Sequence, residues 1–253
     1  MIALGAVVII GGGCYGAFYA AQLQRARNDG TVTYERLLVV DRDPACQVAT
    51  QDPAPDRDVV VAEWDDFLDR WLDPDVRRTG DRPDMIVPSP LMPHLMANWI
   101  MRRARDRWPE REVRTVPAAV PLGTPFDMLH GDGTRYVSFA DWLCPTHCIE
   151  PGLCPATRAP RTWEMGEAVE AWTHARGTER PTAGPALFTC RHVAYGVGMY
   201  PAARAFEGFD ALVAQVEATG SADLVVGSVS ACHGAIGLIR VAEQGVASAV
   251  EAR

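Results

Sequence analysis

The chain has 253 residues, 48% hydrophobic and 22% charged, which suits one large globular domain or two small ones. Its net charge of −8 argues against a general binder of nucleic acid or anionic membrane. All 24 basic residues are arginine, so no lysine can act as a Schiff base or a phosphate-loop lysine.

The N-terminus is apolar but carries no basic residue before Arg25, and no run approaches the ~18 apolar residues that a membrane span needs. The expectation is a cytoplasmic protein without membrane insertion. In that compartment thiols stay reduced, and an odd count of seven cysteines fits ligands or redox groups better than disulfides.

In chain order, Ala6 to Ile10 is a β-branched apolar run ending in Gly11. Tyr15 to Arg27 then has helical spacing, with Phe18, Ala21, Leu23 and Ala26 on one broad face. Strands are predicted at 36–40, 58–62, 84–87 and 112–116. A helix through Trp64, Phe67, Leu68 and Trp71 follows the third strand, and one starting near Pro90 follows the fourth. Short apolar runs alternating with amphipathic ones indicate βαβ units and a parallel sheet. From Pro117 to about Pro201 the periodicity breaks, in a stretch rich in proline, glycine and polar residues. It resumes with a helix over Ala202 to Thr219, a sixth strand over Asp223 to Val229, a turn at Ser230 to Gly234 and a closing helix from Ala235 to about Val250.

The expected fold is therefore α/β: a doubly wound, Rossmann-like parallel sheet with a cysteine- and proline-rich insertion between strands five and six. Residues 1–120 form the dinucleotide-binding unit, 121–200 the insertion, and 201–253 a helix-strand-helix that completes the sheet. The alternative is an N-terminal Rossmann unit followed by a separate C-terminal domain.

The first turn carries the clearest motif. "VVIIGGGCYGAFYAAQL" places Gly11, Gly13 and Gly16 in a GxGxxG directly after a strand and opening a helix. Gly11 permits the turn, Gly13 lets backbone approach a pyrophosphate, and Gly16 lets helix and strand pack closely. Cys14, inside the loop, faces either the nucleotide or the core. Asp41, at the tip of the second strand, can accept hydrogen bonds from an adenosine ribose and favours NAD, while the adjacent Arg42 keeps NADP open.

These residues, with "LLVVDRDP", resemble the N-terminal NAD-binding domain of the Trk/RCK potassium-transport regulators. The resemblance covers roughly the first 120 residues and is clearest over the first ~45. It implies that Gly11, Gly13, Gly16 and Asp41 contact the nucleotide. Siroheme-type dehydrogenases share a similar first unit. Nothing after residue 120 resembles the regulators' ligand-sensing domain.

The insertion holds "CPTHCIEPGLCP", with the spacing Cys144-x3-Cys148-x5-Cys154. Three thiolates on one loop can share a centre, with a fourth ligand from Cys190, Cys232, His147, His192 or His233. The Cys-Pro pairs at 144 and 154 are similar to those of ferredoxin-type loops. An iron–sulfur cluster, a zinc ion and unliganded thiols all stay open. Cys232 and His233 are also candidate catalytic groups, placed beyond the sixth strand and before a helix N-terminus that would lower the thiol pKa. Glu150 reads as solvated, and His94, His130 and His174 as surface or structural residues.

The functional expectation is an NAD(P)-binding redox protein with a cysteine-ligated metal or iron–sulfur site, acting as an accessory or electron-transfer subunit with a redox partner. The alternatives are a non-catalytic nucleotide or redox sensor of Trk/RCK type, and a dehydrogenase with structural zinc using His233 or Tyr195. If it is an enzyme, it is an NAD(P)-dependent oxidoreductase. A homo-oligomer is compatible with every one of these readings.

Overall fold

The computed structural model of the chain describes residues 1–51, 53–77, 81–90, 92–140 and 148–243. Strands β1 (Ile2–Ile10), β2 (Val32–Asp41), β3 (Arg57–Val61) and β4 (Met85–Val87) run parallel in the order β3-β2-β1-β4. Helix α1 (Cys14–Asn28) joins β1 to β2, where the sequence predicts a helix. Helices α2 (Trp64–Trp71) and α3 (Pro74–Arg77) lie between β3 and β4.

After α4 (Leu95–Arg107) the chain leaves this sheet. It forms β5 (Arg111–Val116), β6 (Phe126–Leu129), β7 (Arg135–Ser138), α5 (Met165–Gly177) and β8 (Thr182–Thr189). It then returns through β9 (Arg191–Ala194) and β10 (Val197–Pro201), which extend the first sheet to β3-β2-β1-β4-β10-β9. Helix α6 (Ala203–Thr219) leads to β11 (Ala222–Val229) and β12 (His233–Glu243). The second sheet is β6-β7-β12-β11-β8, and β5 also pairs with β12.

The protein is thus α/β with two mixed sheets. The expected single sheet with six parallel strands is corrected at three points. The fourth strand's outer edge is taken by antiparallel β10, through Tyr200 opposite Ile86. The strands expected as fifth and sixth, β5 and β11, are both in the second sheet, joined through β12. The helix expected from Ala235 is strand β12 as far as Glu243, and its last residues lie outside the described ones. In β12, Ile239 and Val241 face one core while Ile236 and Leu238 face another. Burial on both faces makes an apolar run that a helical pattern fits as well as a strand.

The same alternation stacks the layers. Val8, Ile10, Leu38 and Val40 of the first sheet, and Phe188, Leu224, Val226 and Ile239 of the second, share one core with α2, α4 and α6. Val7, Ile9, Leu37 and Val39 face α1 on the first sheet's other side. Leu187, Val225, Ile236 and Leu238 face α5 on the second sheet's other side. The central helices are therefore shared by both sheets. Among the described residues no helix is long and apolar enough to cross a membrane.

Candidate functional site

The glycine turn joins the carboxyl ends of β1 and β2. The Gly11 N–H donates to the Val40 carbonyl, 2.8 Å away, and Gly11 takes φ +93°. A Cβ on Gly16 would run into the Gly11 carbonyl, so only glycine lets α1 start this close to β1. Asp41 is already engaged: Oδ2 accepts from the Gly12 N–H at 2.6 Å and Oδ1 from the Asp43 N–H at 2.9 Å. The following turn leans onto the loop, with the Val48 N–H donating to the Gly12 carbonyl at 3.0 Å and the Cys46 thiol packed on Gly12. Cys14 and Arg42 are exposed beside the turn. Helix α1 has neither a capping side chain nor an acid in its first turn, and Gly13 faces open space. These features suit a phosphate at the helix N-terminus.

A cavity of about 390 Å³ lies where the two sheets' ends converge. Pro88 and Ser89, just past β4, line it, as do Tyr19 of α1 and the β11–β12 hairpin turn. Four cysteines also line it: Cys148, Cys154, Cys190 and Cys232. Cys190 is the residue at which the chain passes from β8 in the second sheet to β9 in the first. Its N–H is held by the Val229 carbonyl at 2.8 Å. Burial pushes its thiol up to about 12, and the charge of Glu150 adds to this.

Cys232 sits in the hairpin turn, where Ser230 Oγ accepts from the N–H groups of Cys232 and His233, each at 3.3 Å. Trp163, stacked on Phe139, donates its indole N–H to the Cys232 sulfur at 3.3 Å. The thiol is nonetheless raised, because burial outweighs that donor. The expected lowering by a helix N-terminus is corrected, since a strand follows the turn.

Cys154 shows the opposite behaviour. Its loop closes on itself through Cys154 N–H to Ala159 O at 2.9 Å, Arg158 N–H to Cys154 O at 2.8 Å and Arg161 N–H to Gly152 O at 2.8 Å. The Thr157 hydroxyl and then its backbone N–H hold the Cys154 thiol below the ordinary range, helped by Arg161. Glu150, read from sequence as solvated, is a structural tie. It has a left-handed backbone, φ 53°, and its carboxylate accepts from the Ala231 N–H at 2.8 Å and faces Arg161 at 3.8 Å. Only its position between two candidate cysteines could have drawn attention to it.

Residues 96–242 match the family model AF_1314_C, described as "Uncharacterized protein, C-terminal domain". The match takes in more than half of the chain. The chain belongs to this family. No curated protein and no solved structure matches it. The family region runs from α4 through β12, so it contains all four cavity cysteines, while the glycine turn lies outside it.

Within the family region, His192 and His233 line the cavity, and the buried Nδ1 of His192 has no hydrogen-bond partner among the described residues. Tyr195 turns away, donating its hydroxyl to Asp29 at 2.7 Å. Cys144 and His147 lie outside the described residues. Among the described residues, no three His, Cys, Asp or Glu side chains come close enough to hold a metal ion. The four cavity cysteines line the same space without forming a ligand set.

Proposed function

We propose that the chain is an NAD(P)-binding redox protein in which the cysteine-lined cavity is the reaction chamber. The observation that carries this reading is the position of the cavity. The order β3-β2-β1-β4 puts successive strands on opposite sides of β1, as in a Rossmann-like half, and ligands of such sheets lie outside the carboxyl ends at that reversal. The cavity adjoins the carboxyl end of β4, the strand paired with β1, and Tyr19 of the helix that follows the glycine turn lines it. A dinucleotide with its phosphates on the α1 N-terminus would direct its far half toward the cavity. Gly11, Gly13, Gly16 and Asp41 would hold it, with Cys14 and Arg42 at its edge.

A second reading, favoured by the four cysteines that line the cavity, adds an iron–sulfur cluster or zinc ion; the described thiols do not converge, so Cys148, Cys154 and Cys190 or Cys232 would have to close around the metal, with Cys144 as a further ligand. The protein would then pass electrons as an accessory subunit. Titration calorimetry with NAD, NADH, NADP and ATP tests the nucleotide site. Binding of NAD or NADH is expected, and Asp41→Arg should shift preference toward NADP by about tenfold, a difference of ~1.4 kcal/mol. No binding of any of the four overturns the reading. Iron, sulfide and zinc assays after anaerobic purification decide between cluster, zinc and bare thiols.

A further inference from the structure

One residue of the cavity lining, Tyr136, is tied to a group of titratable side chains behind it, among them His94 and His130, which the sequence places as surface or structural residues. Tyr136, on β7, lines the cavity. Its hydroxyl lies 3.3 Å from Nε2 of His94, the residue that caps α4. The same Nε2 is 3.6 Å from Oδ2 of Asp132, whose Oδ1 is 3.5 Å from Nδ1 of His130. The three rings meet edge to face, His130 at 5.9 Å and His94 at 6.4 Å from Tyr136.

The β6–β7 hairpin turn builds this arrangement. The His130 N–H donates to the Thr134 carbonyl at 2.8 Å, the Gly133 N–H to His130 O at 3.0 Å, and the Thr134 N–H to Asp132 Oδ1 at 2.8 Å. That last bond, with smaller contributions from His94 and His130, keeps Asp132 ionised below the usual carboxylate range. A carboxylate this close to Nε2 favours a proton on that nitrogen. The Nε2–H of His94 then donates to the Tyr136 hydroxyl. Burial and the Asp132 charge raise the phenol, so it holds its proton at neutral pH.

We propose that Tyr136 is the proton donor of the chamber, with His94 and Asp132 as its positioning residues, and that the substrate is a carbonyl compound. The proposal rests on the dinucleotide reading above. As the carbonyl carbon accepts hydride from a reduced nicotinamide, the C=O π pair moves to oxygen, and that oxygen takes the Tyr136 proton. The phenolate left behind accepts the hydrogen bond from His94 Nε2 and regains its proton from solvent. Among the described residues, the charged and titratable groups against Tyr136 include His94, His130 and Asp132, and Tyr19, Glu150, Arg161, His192, His233 and the four cysteines share its cavity.

Three measurements on the full chain test this. NADH titration of wild type and Tyr136→Phe should give the same Kd within twofold. NADH oxidation should then be followed at 340 nm with pyruvate, acetaldehyde and benzaldehyde as probes. At least one should be reduced, and Tyr136→Phe should lower kcat about 100-fold, the usual contribution of a positioned acid. Wild-type protein that binds NADH but reduces none of the three overturns the proposal, as does a Tyr136→Phe variant with unchanged kcat.

The third measurement is tyrosinate absorbance at 295 nm, with Tyr136 identified by difference from Tyr136→Phe. His94→Gln should raise its midpoint and Asp132→Asn should lower it. Midpoints that move in neither variant overturn the positioning role of His94 and Asp132. If Tyr136→Phe does not fold, His94→Gln carries the kinetic test through a shifted pH profile of kcat. Absent NADH binding overturns the dinucleotide reading and carbonyl reduction with it, while the titration separately judges the coupling of Tyr136 to His94.

Discussion

Asp223 has no exposed surface, yet three arginines reach it. Arg240 grips it through two bonds, Nε to Oδ1 at 2.8 Å and Nη2 to Oδ2 at 3.0 Å. Arg176 lies at 3.3 Å and Arg180 at 3.4 Å. A bidentate guanidinium satisfies both carboxylate oxygens, so the charge is tolerated inside. Removing it leaves the guanidinium groups facing one another with no counter-charge. Asp223→Asn should therefore cost about 3–5 kcal/mol in urea unfolding. The four partners come from α5, the loop after it, β11 and β12, and no spacing in the chain links them. The glycine turn is different: Gly11, Gly13 and Gly16 sit within six residues, and their local pattern states their geometry. Local motifs are legible because their constraint is local. Asp223, like the group around Tyr136, becomes visible only once distant strands are paired.

The elements follow the same rule. α1, β1 and β2 were legible because each follows its neighbour in chain and in space. α6 was legible through its apolar face and its stop. Gly220 ends it with φ +78°, a left-handed cap donating to the Val216 carbonyl at 2.8 Å. Gly220→Ala should destabilise the protein by about 1 kcal/mol, measurable as a lower urea midpoint with unchanged slope. Strands β8 and β10 were not legible, since Gly184, Pro185 and Gly198 interrupt them. Their partners, β11 and β4, supply from far away the order that local propensity lacks.

At the scale of the molecule, the chamber lies at the junction of the two sheets, and its ionisation feeds into overall stability. The Cys190 thiol, ordinarily near 9.0, is pushed up to about 12 by burial and then by Glu150. Tyr200, fully buried beside it, is also raised. In the unfolded chain these groups lose their protons at ordinary values, and in the folded chain they hold them longer. The associated stabilisation is intact below pH 9 and drains away as pH climbs toward 12. The urea midpoint should fall between pH 9 and pH 11, and Cys190→Ala should flatten that decline. An equal slope in the variant would assign the loss to other groups.

Strand β12 has one edge on β11 along its length, while its other edge is divided between β7 at its start and β5 at its end. During synthesis, β5, β7 and β11 all leave the ribosome before the strand that joins them. Until it arrives, each carries an unpaired edge, and the hairpin turn that bears Cys232 and His233 does not exist. The second sheet is thus assembled late, from contacts far apart in sequence, and its three waiting edges are the surfaces a chaperone would have to shield.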